Sequence, residues 1–135
     1  MRRNYTRGQF LEKVDLLRRV MPDIVVTTDF IVGFPGETEA DFGRTMSLAE
    51  EAGLDGAYVF KYSPRPGAES AGGPDDVPEG VKEDRHARLL NRVEGLAIRK
   101  APVYVGTRQE VLVEEVKDSG GGTIYNGRAR GGRRI

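Results

Sequence analysis

Phe10, Val14, Leu17 and Met21 recur at helical spacing behind a Thr6–Gln9 capping pair. They predict a helix over residues 7–21, stopped by Pro22. Ile24, Val25 and Val26, then Phe30, Ile31 and Val32, form an apolar run without polar alternation, the pattern of a parallel strand covered on both faces. The turn Gly33-Phe34-Pro35-Gly36 follows. Thr38 and Asp41 make a second capping pair, opening a helix to about Ala52 with Gly53 as its stop. Residues 57–62 read as a second strand and residues 63–78 as a loop rich in Pro and Gly. Pro78 opens a long helix with apolar positions at Val81, Leu89, Leu90, Val93, Leu96 and Ala97. Past Pro102 the pattern changes. Residues 103–105 and 110–116 read as strands, and Gly120-Gly121-Gly122 separates them from a third at 123–129.

The fold class is therefore α/β over residues 1–102, followed by the start of a small all-β piece over residues 103–135. Two parallel strands leave their edges uncovered, and three short strands close no barrel, so both pieces read as parts of larger ones. Another strand is expected to begin at Arg133-Arg134-Ile135. The chain reads as a fragment, and its open edge predicts aggregation or marginal stability.

Composition narrows the function classes. The 135 residues carry 21 basic and 21 acidic side chains, so no global field points to a polyanion. Residues 1–98 hold 13 Lys/Arg against 17 Asp/Glu, and residues 99–135 hold 8 against 4, a basic end on an acidic body. There is no cysteine, which excludes disulfides, thiolate zinc sites and any iron–sulfur cluster held by this chain alone. No apolar run approaches the length of a membrane span and no secretory signal is present, so the cytoplasm is the expected compartment.

The Gly33–Thr38 turn is neither a Walker loop nor a dinucleotide fingerprint. Its glycines permit close backbone approach, and a following helix N-terminus supplies free N–H groups, although the same glycines would serve a plain βα connection. Lys61, Tyr62 and Arg65 fall at the carboxyl end of the second strand, where parallel sheets hold ligands. An exposed loop with two solvated cations is the alternative. His86 reads as a solvated helix residue. Asp29 is an acid inside an apolar strand, where burial requires a partner. Arg128, Arg130, Arg133 and Arg134, near Tyr125 and Asn126, form a basic patch of the kind found on RNA-binding barrels, or the charged tail of a small one.

Met1-Arg2-Arg3-Asn4-Tyr5-Thr6, TTDFIVGFPGETEADF at 27–42 and FKYSPRPG at 60–67 resemble the later part of the radical S-adenosylmethionine methylthiotransferases. VPEGVKEDRHARL at 77–89, EVLVE at 110–114 and Asn126-Gly127-Arg128-Ala129-Arg130 continue the likeness across essentially the whole chain. FKYSPRPG looks most like the branch that adds a methylthio group to isopentenyl-adenosine beside the tRNA anticodon, the MiaB type. The branch acting on threonylcarbamoyl-adenosine shares much of this text.

The resemblance implies a transferase using S-adenosylmethionine and four-iron four-sulfur clusters, with the tRNA anticodon stem-loop as partner and no membrane. Residues 1–102 would be the end of a radical S-adenosylmethionine partial barrel, and 103–135 the first part of an RNA-gripping TRAM domain. The family's cluster cysteines are absent from this chain, which is expected to be inactive without the missing N-terminal part of the same enzyme. No residue here is expected to be catalytic or to ligate metal. The family's Gly-x-Ile-x-Gly-x-x-Glu pattern is met at Ile31 and Gly33, while Asp29 replaces the first glycine and Glu37 falls one place late. Cofactor contact is accordingly implied for Asp29, Ile31, Val32, Gly33, Phe60, Lys61 and Tyr62, and RNA contact for Arg65, Arg128 and Arg130. A freestanding RNA-binding module, or a non-catalytic paralogue without the cluster domain, are the competing readings.

Overall fold

The computed structural model describes residues 4–68, 70 and 76–135. Met1-Arg2-Arg3 of the resemblance, and positions 69 and 71–75 of the expected loop, lie outside the described residues. The chain divides into two units, Met1–Pro102 and Val103–Ile135.

In the first unit, the Thr6 hydroxyl accepts the Gln9 amide while the Gln9 side chain accepts the Thr6 amide at 2.8 Å, which starts helix α1 (Arg7–Val20). Its inward face is Phe10, Leu11 and Val14, whereas Leu17 and Met21 of the expected stripe are exposed. Strand β1 (Thr27–Val32) begins after the Ile24–Val26 part of the apolar run. Val26 is held by Asp55 instead: its N–H donates to Asp55 Oδ2 at 2.8 Å and its carbonyl accepts the Asp55 N–H at 2.9 Å. Helix α2 (Glu39–Glu51) follows the Thr38–Asp41 capping pair, and the chain turns at Gly53 with φ +51°. Strand β2 (Gly56–Lys61) lies parallel to β1, in register from Thr27↔Gly56 to Val32↔Lys61. Helix α3 (Glu79–Lys100) starts after Pro78, which can precede a helix because its missing N–H needs no partner there.

The C-terminus of α2 has no basic residue in its own last turn. Neighbours supply the positive charge that its carbonyls favour. Arg18 of α1 donates to the carbonyls of Ala52 (2.6 Å) and Gly53, and Lys100 of α3 donates to Gly53 and to Asp55 Oδ1 at 2.7 Å. Arg18 therefore occupies the inward position of the last turn of α1.

The core consists of Val32, Phe42, Ala49, Ala52, Leu54, Val59, Leu89 and Val93. Burying each of the larger side chains contributes about 1.5–3 kcal/mol. The core lies on the α2 and α3 side of the sheet, the face bearing Phe30, Val32 and Val59. On the other face Asp29, Tyr58 (67 % exposed) and Phe60 (52 % exposed) are uncovered. The expectation of a strand covered on both faces thus fails within this chain, and Asp29 is exposed rather than buried. Apolar residues on the second face line a cleft instead of a core.

His86 is half-buried, not solvated. Its Nε2 lies 3.0 Å from the Val59 carbonyl, to which it donates. The Tyr62 N–H donates to the Val32 carbonyl at 2.8 Å, so even-numbered positions of β2 bond toward β1 and the Val59 carbonyl points to the opposite edge. His86 closes that edge at its midpoint.

A 3-10 turn (Ala101–Tyr104), which runs from the last residues of the first unit into the second, stands where a strand at 103–105 is expected. The Thr107 N–H and hydroxyl both return to the Tyr104 carbonyl, at 3.1 and 2.7 Å, which curls the segment. The Arg133 guanidinium lies 3.3 Å from the centroid of the Tyr104 ring. Strands β3 (Val111–Ser119) and β4 (Gly122–Ala129) pair antiparallel, with an irregularity between Val113 and Glu115. The Ala129 N–H donates to the Arg133 carbonyl (2.9 Å), and Gly127 and Ile135 exchange N–H···O bonds at 3.2 and 3.0 Å. A further extended segment thus runs beside β4 at the end of the chain. Among the described residues, neither two-stranded sheet closes into a barrel.

Candidate functional site

Gly33 and Gly36 both adopt the left-handed conformation, with φ +70° and +76°, and this bends the chain between β1 and α2. The amides of the turn are taken by the chain's own acceptors. Gly33 N–H donates to Glu37 Oε2 (2.7 Å), Gly36 N–H to Asp76 Oδ1 (2.8 Å) and Glu37 N–H to the Phe34 carbonyl (2.8 Å). Thr38 N–H donates to Asp41 Oδ2 and Asp41 N–H to Thr38 Oγ1, each at 3.1 Å. The expected supply of free N–H groups is therefore absent from these positions. Accepting the Thr38 hydroxyl and amide holds the Asp41 carboxyl below its ordinary value. With three carboxylates bonded to its amides, the turn does not favour a phosphate.

Helix α3 grips the turn from behind. Arg85 NH1 donates to the Glu37 carboxylate at 2.8 Å and to the Glu37 carbonyl at 3.0 Å. Both side chains are nearly sealed from solvent, at 6 % and 9 % exposure. Arg85 Nε lies 3.5 Å from Glu39 Oε2 and makes no hydrogen bond among the described residues. One turn earlier on α3, the buried stem of Lys82 packs against Gly33, and its Nζ lies 5.7 Å from the centre of the Tyr62 ring. Lys82, Arg85, Leu89 and Val93 make one stripe at helical spacing. That spacing was available in the sequence, but charged side chains at inward positions read as surface.

At the carboxyl end of the two strands lies a cleft of about 500 Å³, a size suited to a small organic ligand. Of the sequence-predicted cofactor residues, Asp29, Ile31, Phe60, Lys61 and Tyr62 line it, and so does Arg65. Val32 and Gly33 do not: Val32 is in the core and Gly33 lies under Lys82. Phe34 was not singled out from sequence, yet it lines the cleft and meets Tyr62 edge-on at 5.1 Å. Tyr62 is itself fixed by donating its hydroxyl proton to the Ser70 carbonyl at 2.9 Å. Lys61 is drawn to Glu79 (2.5 Å) and Glu83 (3.5 Å), and the Glu79 hydrogen bond raises its pKa. The lining thus combines an apolar and aromatic wall with one carboxylate and two cations.

Arg128 and Arg130 belong to the other unit, and both face carboxylates. Arg128 Nε donates to both oxygens of Glu114 at 3.0 and 3.1 Å, and Arg130 Nε lies 3.0 Å from Glu110. Among the described residues no cluster of acidic or histidine side chains could hold a metal ion, and no helix is long and apolar enough to cross a membrane.

No family model matches the chain. Curated relatives do. The tRNA-2-methylthio-N(6)-dimethylallyladenosine synthase of Coxiella burnetii is 50% identical over 113 residues, covering 84% of this chain and 26% of that protein. The protein of the same name from Acidithiobacillus ferrooxidans is 51% identical over 113 residues, covering 84% and 25%. That of Pelotomaculum thermopropionicum is 42% identical over 135 residues, covering 100% and 30%. Identity at this level across most of its residues makes the chain a homologue of the MiaB-type tRNA methylthiotransferases, of whose length it spans only about a quarter to 30%.

Proposed function

We propose that this chain works as part of a tRNA methylthiotransferase that adds a methylthio group to isopentenyl-adenosine beside the anticodon. Its first unit would form the end of the radical S-adenosylmethionine barrel, and its second the opening strands of the TRAM domain. The observation that carries this reading is the 42–51% identity to relatives that share one name. Such an enzyme acts in the cytoplasm, where tRNA is.

S-adenosylmethionine suits the cleft. Ile31, Phe34 and Phe60 offer an apolar wall to an adenine, while Asp29, Lys61 and Arg65 offer charges to an amino acid. The turn's occupied amides favour this ligand over a phosphorylated nucleotide. When bound, it supplies the radical source and the methyl group; the residues here bind and orient it and shield it from water. A four-iron four-sulfur cluster does not fit this chain, which has no cysteine. RNA contact falls to Arg65, Arg128 and Arg130.

A chimera tests the reading: this chain replaces the matching segment of the Acidithiobacillus relative, and tRNA nucleosides are analysed by mass spectrometry. Methylthiolated isopentenyl-adenosine is the expected product. A soluble, cluster-loaded chimera that leaves that nucleoside unmodified refutes it, and methylthiolated threonylcarbamoyl-adenosine would move the substrate to the sister branch. The isolated chain, reconstituted with iron, sulfide and S-adenosylmethionine, is expected to give no product.

A further inference from the structure

The Gly33–Glu37 turn forms one side of the cleft through Phe34, yet Gly33 and Gly36 give it little stiffness of their own. Its rigidity comes from Glu37, which reaches back to the Gly33 amide and is in turn held by Arg85 at both its carboxylate and its carbonyl. Both bonds leave the same nitrogen, NH1, whose two hydrogens lie fixed in the guanidinium plane and so set direction as well as distance, whereas the donors of a shorter lysine ammonium rotate freely. The same helix seats the Lys82 stem against Gly33. Phe34 then meets Tyr62, which directly follows β2 and carries the other wall.

We infer that Arg85, acting through Glu37, is a positioning residue for the cleft: it sets the Phe34 wall against Tyr62 at the separation the ligand requires. Neither residue touches the ligand. This rests on the proposed S-adenosylmethionine site for the identity of the ligand, but the clamp on the turn stands apart from it.

The test uses the 135-residue chain with two readouts: calorimetric binding of S-adenosylmethionine, and amide hydrogen exchange at Gly33, Gly36 and Glu37. Arg85→Lys keeps the charge and loses the planar pair of N–H groups that meets the Glu37 carboxylate and carbonyl. Glu37→Gln/Arg85→Met removes both partners, so no buried charge is stranded if Arg85→Met alone fails to fold. Arg88→Met, which removes an exposed cation from the same helix, is the control. Arg85→Lys and the double variant are expected to lose protection selectively at the turn and to bind about tenfold or more weakly, with Arg88→Met unchanged. Wild-type exchange and affinity in Arg85→Lys would overturn the inference, as would affinity that merely tracks thermal stability across the set. If the wild type binds no S-adenosylmethionine while its turn amides depend on Arg85, the ligand reading falls and the clamp stands.

Discussion

Replacing Gly33 with alanine should damage the first unit more than the same change three residues later. At Gly33 the backbone has φ +70°, which costs a non-glycine residue about 1–2 kcal/mol. A Cβ there would overlap Lys82 Cγ and stand 3.1 Å from Cδ and 3.3 Å from Cβ of the same side chain. Lys82 is 3 % exposed, so its stem has little room to swing aside, and overpacking of this kind costs about 1–3 kcal/mol. The sum is about 2–5 kcal/mol, a large share of the about 5–15 kcal/mol that holds a typical domain together. Even the lower figure lowers Tm by about 8–16 °C. Gly36 is the internal control: its φ is +76°, but a Cβ there meets nothing within 4 Å. Thermal melting followed by circular dichroism should place Gly33→Ala below Gly36→Ala by about 1–3 kcal/mol, and Lys82→Ala in the Gly33→Ala background should recover part of the gap. Equal losses at the two glycines would refute the claim that Lys82 is immobile.

Other expectations concern charge and the second unit. Because the Asp41 carboxyl titrates below its ordinary value when folded, its contribution is present above the unfolded pKa and fades as pH falls through the folded one. The Tm gap between wild type and Thr38→Val should accordingly narrow below about pH 4. Glu79→Gln with Glu83→Gln should bring the Lys61 pKa down toward that of free lysine, read by nuclear magnetic resonance titration of its ε-carbon. A Cβ on Gly127 would overlap the Leu112 carbonyl oxygen and stand 2.7 Å from Val111 Cγ1, so Gly127→Ala should erase the β3–β4 amide protection while sparing the first unit. On the proposed RNA contact at Arg128 and Arg130, Glu110→Gln with Glu114→Gln frees both cations and should tighten RNA binding and steepen its dependence on salt.

Elements whose signals are local were legible in the sequence. Thr6–Gln9 and Thr38–Asp41 each satisfy one another within a single turn, so the starts of α1 and α2 needed no knowledge of the rest of the chain. Val103–Val105 shows the opposite case. Its β-branched residues favour a strand, but Thr107 folds back on Tyr104 and the segment coils instead. The cleft was half legible. Position at the end of a strand pointed to Lys61, Tyr62 and Arg65, whereas Phe34 belongs to it through its contact with Tyr62, a partner far along the chain. Lys82 and Arg85 escaped notice because a cation on a helix becomes inward only when a distant Glu37 or Tyr62 meets it. Arg128 and Arg130 were visible as charges, but not the carboxylates opposite them.

The His86 contact gives the β1–β2 sheet a direction of growth. An incoming strand beside β2 would have to displace an imidazole from the Val59 carbonyl and push past α3, while the outer edge of β1 has no such guard among the described residues. Additional strands should therefore accrete on the β1 side alone, making β2 the terminal stave of whatever larger sheet this unit joins. His86→Ala would remove that polarity, and self-association through β2, visible as concentration-dependent sedimentation, is the form its loss would take.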